Sequence, residues 1–168
     1  MEFTDAFPSF GIAARLSPNG EHVAALLKRE GALSIAIHSS RNGELRRQLM
    51  VPGDTVERRG VLMFGGKCDR WELLWSPDST RLALSNELAA NIIVWEVDGG
   101  DGSESLLPIS CIQENQLLGV DRVLWTPDST HILTFLAHRV GVRLWRMDRR
   151  GAQACFTHPK YSLGEKGT

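Results

Sequence analysis

WELLWSPDSTRLALSNELAANIIVWEVD, residues 71–98, returns fifty positions later as DRVLWTPDSTHILTFLAHRVGVRLWRMD, residues 121–148. Self-similarity at a fixed spacing of this size is typical of repeat architectures. The chain is therefore expected to contain copies of one structural unit. Aligned without a gap, the two stretches share Leu74/Leu124, Trp75/Trp125, Pro77/Pro127, Asp78/Asp128, Ser79/Ser129, Thr80/Thr130, Trp95/Trp145 and Asp98/Asp148.

Another copy lies upstream and forms the first unit in chain order. Its residues 15–38 (RLSPNGEHVAALLKREGALSIAIH) align with residues 74–97 at an offset of fifty-nine. In each copy an apolar residue precedes a Ser/Thr-Pro-Asx turn, and an aromatic position follows twenty residues later. That position holds Trp95 in the second unit and Trp145 in the third. In the gap-free alignment of the first unit it holds Ala36. Three units are therefore predicted.

Each unit is expected to begin with two antiparallel strands joined by its turn. In residues 17–20 (Ser-Pro-Asn-Gly), proline presets φ at the second turn position, and the Asn-Gly pair tolerates left-handed backbone. A third strand follows, in which Ile92 and Val94 alternate with Ile93 and Trp95. Period-two alternation is the pattern of a pleated strand and argues against helical repeats.

A fourth, weaker strand follows turn residues in each unit, at residues 45–51, 106–112 and 152–156. Pro108 fits an outer edge strand, because proline lacks a donor that a central strand needs. Four strands per repeat is the pattern of a propeller blade. We therefore predict an all-β chain of four-stranded antiparallel blades, with units near residues 11–51, 71–112 and 121–157 and a lead-in strand at residues 1–10.

Closed propellers typically have four to eight blades. About three blades in 168 residues therefore predict an incomplete ring. We expect the remaining blades to come from a longer chain or from another subunit.

Composition is that of an ordinary soluble globular protein, with 42% hydrophobic and 23% charged residues. A net charge of −1 argues against direct binding to nucleic acid or to an anionic membrane. No apolar run approaches the roughly 20 residues that cross a bilayer. Cys68, Cys111 and Cys155 are too widely spaced for a zinc site or a disulfide framework. The default expectation is a cytoplasmic protein without a metal or cofactor.

Catalytic motifs are absent from the sequence. There is no G-x-S-x-G elbow and no nucleophile next to a base. Residues 65–67 (Gly-Gly-Lys) lack the upstream glycine and the following Ser/Thr of a phosphate-binding loop. The sequence therefore predicts that the chain is not an enzyme.

The repeated tryptophans Trp75, Trp95, Trp125 and Trp145 suit either an aromatic cage or packing between blades, and packing is favoured because they recur at equivalent positions. Features that the copies do not share are better candidates for partner contacts. Trp71 aligns with Asp121, so it either contacts a partner or covers a blade edge. The basic residues near the end of the third unit either contact an acidic partner or tubulin, or form a blade edge that faces water. The candidate contacts are Trp71, Glu96, Arg143, Arg146, Arg149 and Arg150.

The W-S-P-D-S and W-T-P-D-S turns, each with a tryptophan twenty positions on, resemble WD-repeat propeller blades. Two departures stand out. The dipeptides that close the third strands are Trp95-Glu96 and Trp145-Arg146 instead of Trp-Asp, and no Gly-His pair precedes the first strands. The Asp/His hydrogen-bond network of many WD-repeat blades is therefore not expected.

A narrower resemblance is to the centrosomal and spindle-pole WD-repeat protein eight family, also called the WD-repeat protein antisense to the seventy-third tumour protein. The matching stretches are residues 1–7 (MEFTDAF), residues 16–20, residues 158–161 (HPKY) and residues 165–167 (EKG). The resemblance implies a protein-binding scaffold at the centrosome or spindle pole, which anchors microtubules and organises the spindle with a coiled-coil partner. The alternative is a WD-repeat scaffold of another complex, in ubiquitin-ligase substrate recruitment or RNA processing.

Overall fold

A computed structural model describes residues 11–29, 32–52, 71–86, 91–97, 110–113, 120–136, 141–148 and 151–159. The lead-in strand expected at residues 1–10 lies outside these ranges, as does Pro108. Within the described ranges, no helix is long and apolar enough to cross a membrane.

Twelve strands in the described ranges form three antiparallel sheets of four. Each sheet is a meander in which consecutive strands pair. The first sheet has β1 (Gly11–Leu16), β2 (His22–Arg29), β3 (Ala32–Ser39) and β4 (Leu45–Met50). The second has β5 (Trp71–Trp75), β6 (Arg81–Asn86), β7 (Asn91–Glu96) and β8 (Ser110–Gln113). The third has β9 (Val120–Trp125), β10 (His131–Leu136), β11 (Gly141–Asp148) and β12 (Gly151–Pro159).

The prediction of four-stranded antiparallel blades is confirmed. Three sheets are fewer than the four to eight blades of a closed propeller, which agrees with the expected incomplete ring. Because each sheet is a simple meander, every connection within a sheet joins neighbouring strands, and the Ser/Thr-Pro-Asx turns join the first two strands of each sheet.

Both faces of the second sheet are buried, one against each neighbouring sheet. We call the face that packs on the preceding sheet the leading face, and the opposite one the trailing face. On the leading face, Leu73, Trp75 and Trp95 join a core with residues of the first sheet. On the trailing face, Ala83 and Val94 join a core with the third sheet. Successive side chains of a strand point to opposite faces, so alternate residues of one strand serve two different cores.

The gap-free alignment assigned the wrong residue of the first unit to the aromatic position. Trp95 pairs with Leu82 in the second sheet, and the residue that pairs with the corresponding Val23 in the first sheet is His38, not Ala36. The strands β2 and β3 are eight residues long, against six for β6 and β7. The longer hairpin moves the matching residue two positions along the chain.

Candidate functional site

The three Ser/Thr-Pro-Asx turns have the same hydrogen-bond pattern. In the second sheet, Ser76 Oγ donates to Asp78 Oδ1 at 2.6 Å and accepts from the Arg81 N–H at 2.9 Å, and the Thr80 N–H donates to Asp78 Oδ1 at 3.1 Å. Side-chain oxygens thus satisfy backbone donors that the turn leaves unpaired. The equivalent sets are Ser17, Asn19, Glu21 and His22 in the first sheet, and Thr126, Asp128, Thr130 and His131 in the third.

The two aspartates in these turns are stabilised as carboxylates. Hydrogen bonds from Thr126 and Thr130 lower the pKa of Asp128 to about 2. Burial raises the pKa of Asp78, but hydrogen bonds from Ser76 and Thr80 outweigh this effect and leave its pKa below the ordinary value. Both side chains are therefore charged at neutral pH.

The residue after each Asx has left-handed backbone. Its φ is 75° at Gly20, 64° at Ser79 and 61° at Ser129. Non-glycine residues in this region are strained by roughly 1–2 kcal/mol. Both serines are buried, and their hydroxyls supply a compensating contact, because Ser79 Oγ accepts from the Asn19 N–H at 3.1 Å and Ser129 Oγ accepts from the Asp78 N–H at 3.0 Å. Each serine therefore links its own turn to the turn of the preceding sheet.

A second repeated link joins the same sheets. Trp75 Nε1 donates to the Arg15 carbonyl at 3.2 Å, and Trp125 Nε1 donates to the Leu74 carbonyl at 3.1 Å. Arg15 and Leu74 occupy equivalent positions in the sequence alignment. Each interface between sheets therefore contains one tryptophan link and one serine link with the same geometry.

Two substitutions of Ser79 distinguish the free-energy cost of its backbone strain from the stabilisation by its hydrogen bond. Ser79→Ala loses the hydroxyl but keeps the unfavourable φ, so we expect it to lower the free energy of unfolding by about 1 kcal/mol. Ser79→Gly loses the same hydrogen bond but relieves the strain, so its loss should be smaller. Urea titrations followed by circular dichroism measure both. A glycine variant as unstable as the alanine variant would contradict this account.

Asp128 is expected to make stability depend on pH in the acid range. Its pKa in the folded protein, about 2, is below its ordinary value of 3.8. The stabilisation is therefore complete above pH 3.8 and is lost as the pH falls towards 2. Asp128→Asn, which does not ionise, should flatten the pH dependence of the unfolding free energy between pH 4 and 2. The side chain is exposed, so the effect is small, and an unchanged slope would contradict the prediction.

Trp71 and Glu96, two of the expected partner contacts, lie at opposite ends of the second sheet. Trp71 begins β5, pairs with Asn86 and packs partly buried against the core between the first two sheets. Glu96 ends β7, is half-exposed and pairs with Arg81, which directly follows the turn. Glu96 is therefore beside the turn, whereas Trp71 is one strand length away from it.

The structure describes two of the four expected arginine contacts, Arg143 and Arg146, and they differ in exposure. Arg146 is exposed and pairs with His131 beside the third turn, the position that Glu96 has in the second sheet. Arg143 is half-buried on the leading face, beside Thr134. The sequence placed Arg143 at the surface because it alternates with apolar residues, but in a blade both faces pack against other blades. Arg149 and Arg150 lie outside the described residues.

The packing role expected for the tryptophans is confirmed. Trp75 and Trp95 are buried in the core between the first and second sheets, and Trp125 and Trp145 pack partly buried against the core between the second and third. The serine links were missed. The sequence signal for them is the alignment of Gly20 with Ser79 and Ser129, because a glycine in a turn often marks left-handed backbone.

Groups of three or more His, Cys, Asp or Glu side chains suited to a metal ion do not occur in the described ranges. The carboxylates of Asp78 and Asp128 accept hydrogen bonds within their own turns. The geometry of the site is therefore that of an internally hydrogen-bonded surface.

Comparison with solved structures gives many similar chains of low sequence identity. Hsv2 from Kluyveromyces lactis has a TM-score of 0.59 and 18% identity over 87% of this chain and 47% of its own. The β-propeller domain of Cps50 (Swd1) from Myceliophteria thermophila has a TM-score of 0.61 and 12% identity over 90% of this chain and 44% of its own. The chain thus spans less than half the length of these proteins. No family model matches the sequence, and no curated protein matches it.

The prediction that the chain is not an enzyme is contradicted by another of these structures. A candidate 6-phosphogluconolactonase from Bacteroides uniformis has a TM-score of 0.60 and 14% identity over 87% of this chain and 39% of its own. A second candidate 6-phosphogluconolactonase, from Bacteroides fragilis, is also similar. The same fold occurs in proteins of different function, because function depends on the particular side chains that the fold positions. The absence of familiar motifs was therefore insufficient ground for excluding catalysis.

At identities of 12–18%, these similarities concern the fold. They agree with the three four-stranded meanders and with the packing of each sheet on the next. The chain has the β-propeller fold.

Proposed function

We propose that this chain is part of a protein-binding scaffold whose binding surface is the row of turns. The turn row consists of residues 18–19, 77–78 and 127–128, the exposed Pro-Asx pairs of the three sheets. The observation that carries the proposal is that hydrogen bonds fix each turn internally and join it to the next. A surface that is already ordered loses little conformational entropy on binding, and binding residues are commonly placed on loops of a rigid frame.

Two of the candidate contacts extend the turn row. Glu96 and Arg146 occupy equivalent positions beside the second and third turns. With the ionised Asp78 and Asp128, they give consecutive turns different charge patterns on the same backbone geometry. Complementary charge favours correct partners and excludes others, so this combination suits recognition of a protein surface.

The specific function that we propose is that of a centrosome or spindle-pole adaptor for microtubule anchoring and spindle organisation. Its partner would be a coiled-coil anchoring protein, and further blades would come from a longer chain or another subunit. The resemblance of residues 1–7 and 158–161 to the centrosomal WD-repeat family supports this proposal. A similar propeller chain occurs in the structure of a mitotic checkpoint complex, with a TM-score of 0.56 and 13% identity over 90% of this chain and 40% of its own.

Imaging and proximity labelling of the tagged full chain in dividing cells test this function. We expect enrichment at spindle poles and labelling of a coiled-coil protein there. Absence from spindle poles would refute the centrosomal role. Labelling of ubiquitin-ligase or RNA-processing components instead would favour the alternative scaffold.

Arg146→Glu tests the turn row itself. The side chain is exposed, so we expect its reversal to change stability by less than about 0.5 kcal/mol while reducing recovery of the labelled partner. Lys28→Glu is the matched control, because it makes the same charge change at an exposed position of β2, in another sheet. Equal partner recovery for both variants would remove Arg146 from the binding surface.

A further inference from the structure

The trailing face of the third sheet is an apolar surface that no sheet in the described ranges covers. Leu124 is 42% exposed, the other large apolar side chains of this face are only half-buried, and Arg122 and Arg146 on the same face are exposed. The equivalent residues Ala83 and Val94 of the second sheet are fully buried under the third, and Ala24 and Ile37 of the first are fully buried under the second. The half-buried residues on the trailing face of the third sheet are Leu133, Phe135, Val142 and Leu144.

Two existing interfaces show what binds a face of this kind. In both, the incoming sheet supplies a tryptophan Nε1–H to a backbone carbonyl, and a serine hydroxyl to a backbone N–H. The carbonyl belongs to Arg15 or Leu74, and the N–H belongs to Asn19 or Asp78. In the third sheet the equivalent groups are the carbonyl of Leu124 and the N–H of Asp128. The third sheet therefore repeats the receiving half of the interface.

The leading face of the first sheet lacks the donating half. Leu16 stands where the other sheets have tryptophan, and Gly20 stands where they have serine. Leu16 is 59% exposed, and its neighbours across the sheet, Val23 and His38, are smaller than the tryptophan pair Trp75 and Trp95 of the second sheet. A second copy of this chain therefore cannot supply the two links through its first sheet.

We propose that the trailing face of the third sheet binds a further propeller blade whose first strand ends in tryptophan and whose turn has the sequence Ser/Thr-Pro-Asx-Ser. The tryptophan donates to the Leu124 carbonyl, and the serine accepts from the Asp128 N–H. This surface shares only the Asp128 backbone with the turn row, and the proposal does not depend on the proposed function. The specificity is directional, since the receiving half and the donating half lie on opposite faces.

The proposal is tested by giving the first sheet the missing groups. Leu16→Trp and Gly20→Ser install both links on the leading face. Gly20 already has a φ of 75°, and a Cβ added there meets no atom within 4 Å, so serine has room there and carries the same backbone strain as Ser79 and Ser129. Leu124→Arg in the same chain blocks its own trailing face. This donor variant, L16W/G20S/L124R, is mixed with the wild-type chain, whose trailing face is open.

We expect a one-to-one complex by sedimentation velocity, with a dissociation constant about tenfold to a hundredfold below that of wild-type self-association. The matched control donor is L16F/G20A/L124R, which adds an aromatic ring and a Cβ but has neither the indole N–H nor the hydroxyl. It should bind the wild-type chain much more weakly. A wild-type chain carrying only L124R should fail as the receptor. Circular dichroism establishes that each variant is folded before mixing.

Three results would overturn the proposal. The first is a folded donor variant that does not bind the wild-type chain. The second is a control donor that binds as tightly as the tryptophan-serine donor, because the face would then be generally adhesive. The third is a wild-type chain that associates with itself as tightly as it binds the donor, which would make a second copy the occupant.

Discussion

Trp95→Ala is expected to lower the free energy of unfolding by about 3–5 kcal/mol, the range typical of removing a large aromatic side chain from a core. Trp95 is fully buried in the core that joins the first and second sheets. Its removal leaves a cavity between two layers that can close only in part, because strand pairing limits how far their backbones move. Urea denaturation followed by far-ultraviolet circular dichroism measures the loss.

Two variants control this experiment. Trp145→Ala makes the same change at the equivalent position of the third sheet, where the side chain is only half-buried, so its cost should be smaller. Trp95→Phe keeps an aromatic ring in the core. The Trp95 Nε1–H has no hydrogen-bond partner in the described part of the chain, so phenylalanine loses volume without losing a bond. Similar losses for Trp95→Ala and Trp145→Ala would contradict the burial argument.

Trp75→Ala is expected to cost about 3–4 kcal/mol and to loosen the first sheet from the second. Trp75 is 9% exposed, donates to the Arg15 carbonyl at 3.2 Å and stacks on His22 with ring centroids 6.3 Å apart. Both partners belong to the first sheet. Hydrogen exchange should therefore accelerate in β1 and β2 more than in β10, because the lost contacts join the first sheet to the rest.

Trp75→Phe is the matched variant, because it retains the stacked ring and loses the indole N–H. We expect it to cost about 1 kcal/mol, the usual value of one hydrogen bond, with smaller changes in exchange. Equal acceleration in all three sheets for Trp75→Ala would show that the chain unfolds as one unit. That outcome would contradict the assignment of Trp75 as a local link between two sheets.

The strands could be predicted from sequence because the repeat supplied each pattern three times. Turn chemistry and alternation located the hairpins, and Pro-Asx pairs marked the turn in every unit. The lengths of the hairpins were harder to predict from the sequence. The alignment gave Ala36 the aromatic position that the structure gives to His38, since an alignment without gaps cannot register two additional strand residues.

The faces of the sheets were harder to predict, for a physical reason. Arg143 alternates with Val142 and Leu144, and in a sheet with one wet face this pattern would place the arginine in water. In the third sheet Arg143 instead lies on the leading face, and its apolar neighbours lie on the trailing face. Alternation distinguishes the two faces of a strand but does not state what covers each. That information resides in the neighbouring blade.

The serine links were hidden because serine is an ordinary turn residue. Only the aligned Gly20 indicates that Ser79 and Ser129 have left-handed backbone, and only the structure shows which hydrogen bonds compensate for its strain.

The positions of the candidate contacts could be predicted from the repeat for some residues and not for others. Glu96 and Arg146 are equivalent in the repeat and lie beside the turns, whereas Trp71 has no aromatic counterpart in the third unit, so its surroundings could not be inferred from the repeat.

The tryptophan and serine links also bear on how such a chain can lengthen. Residues 71–120 contain the groups for both sides of a sheet interface. Trp75 and Ser79 lie on one side, and the Leu74 carbonyl and the Asp78 N–H lie on the other. A tandem duplication of that segment would create a unit that fits both its parent and the following sheet without any new residue. Duplication of the first unit would not, since Leu16 and Gly20 leave one side without its connectors. The second and third units, which have groups for both sides, are therefore the parts of this chain from which a longer array can grow.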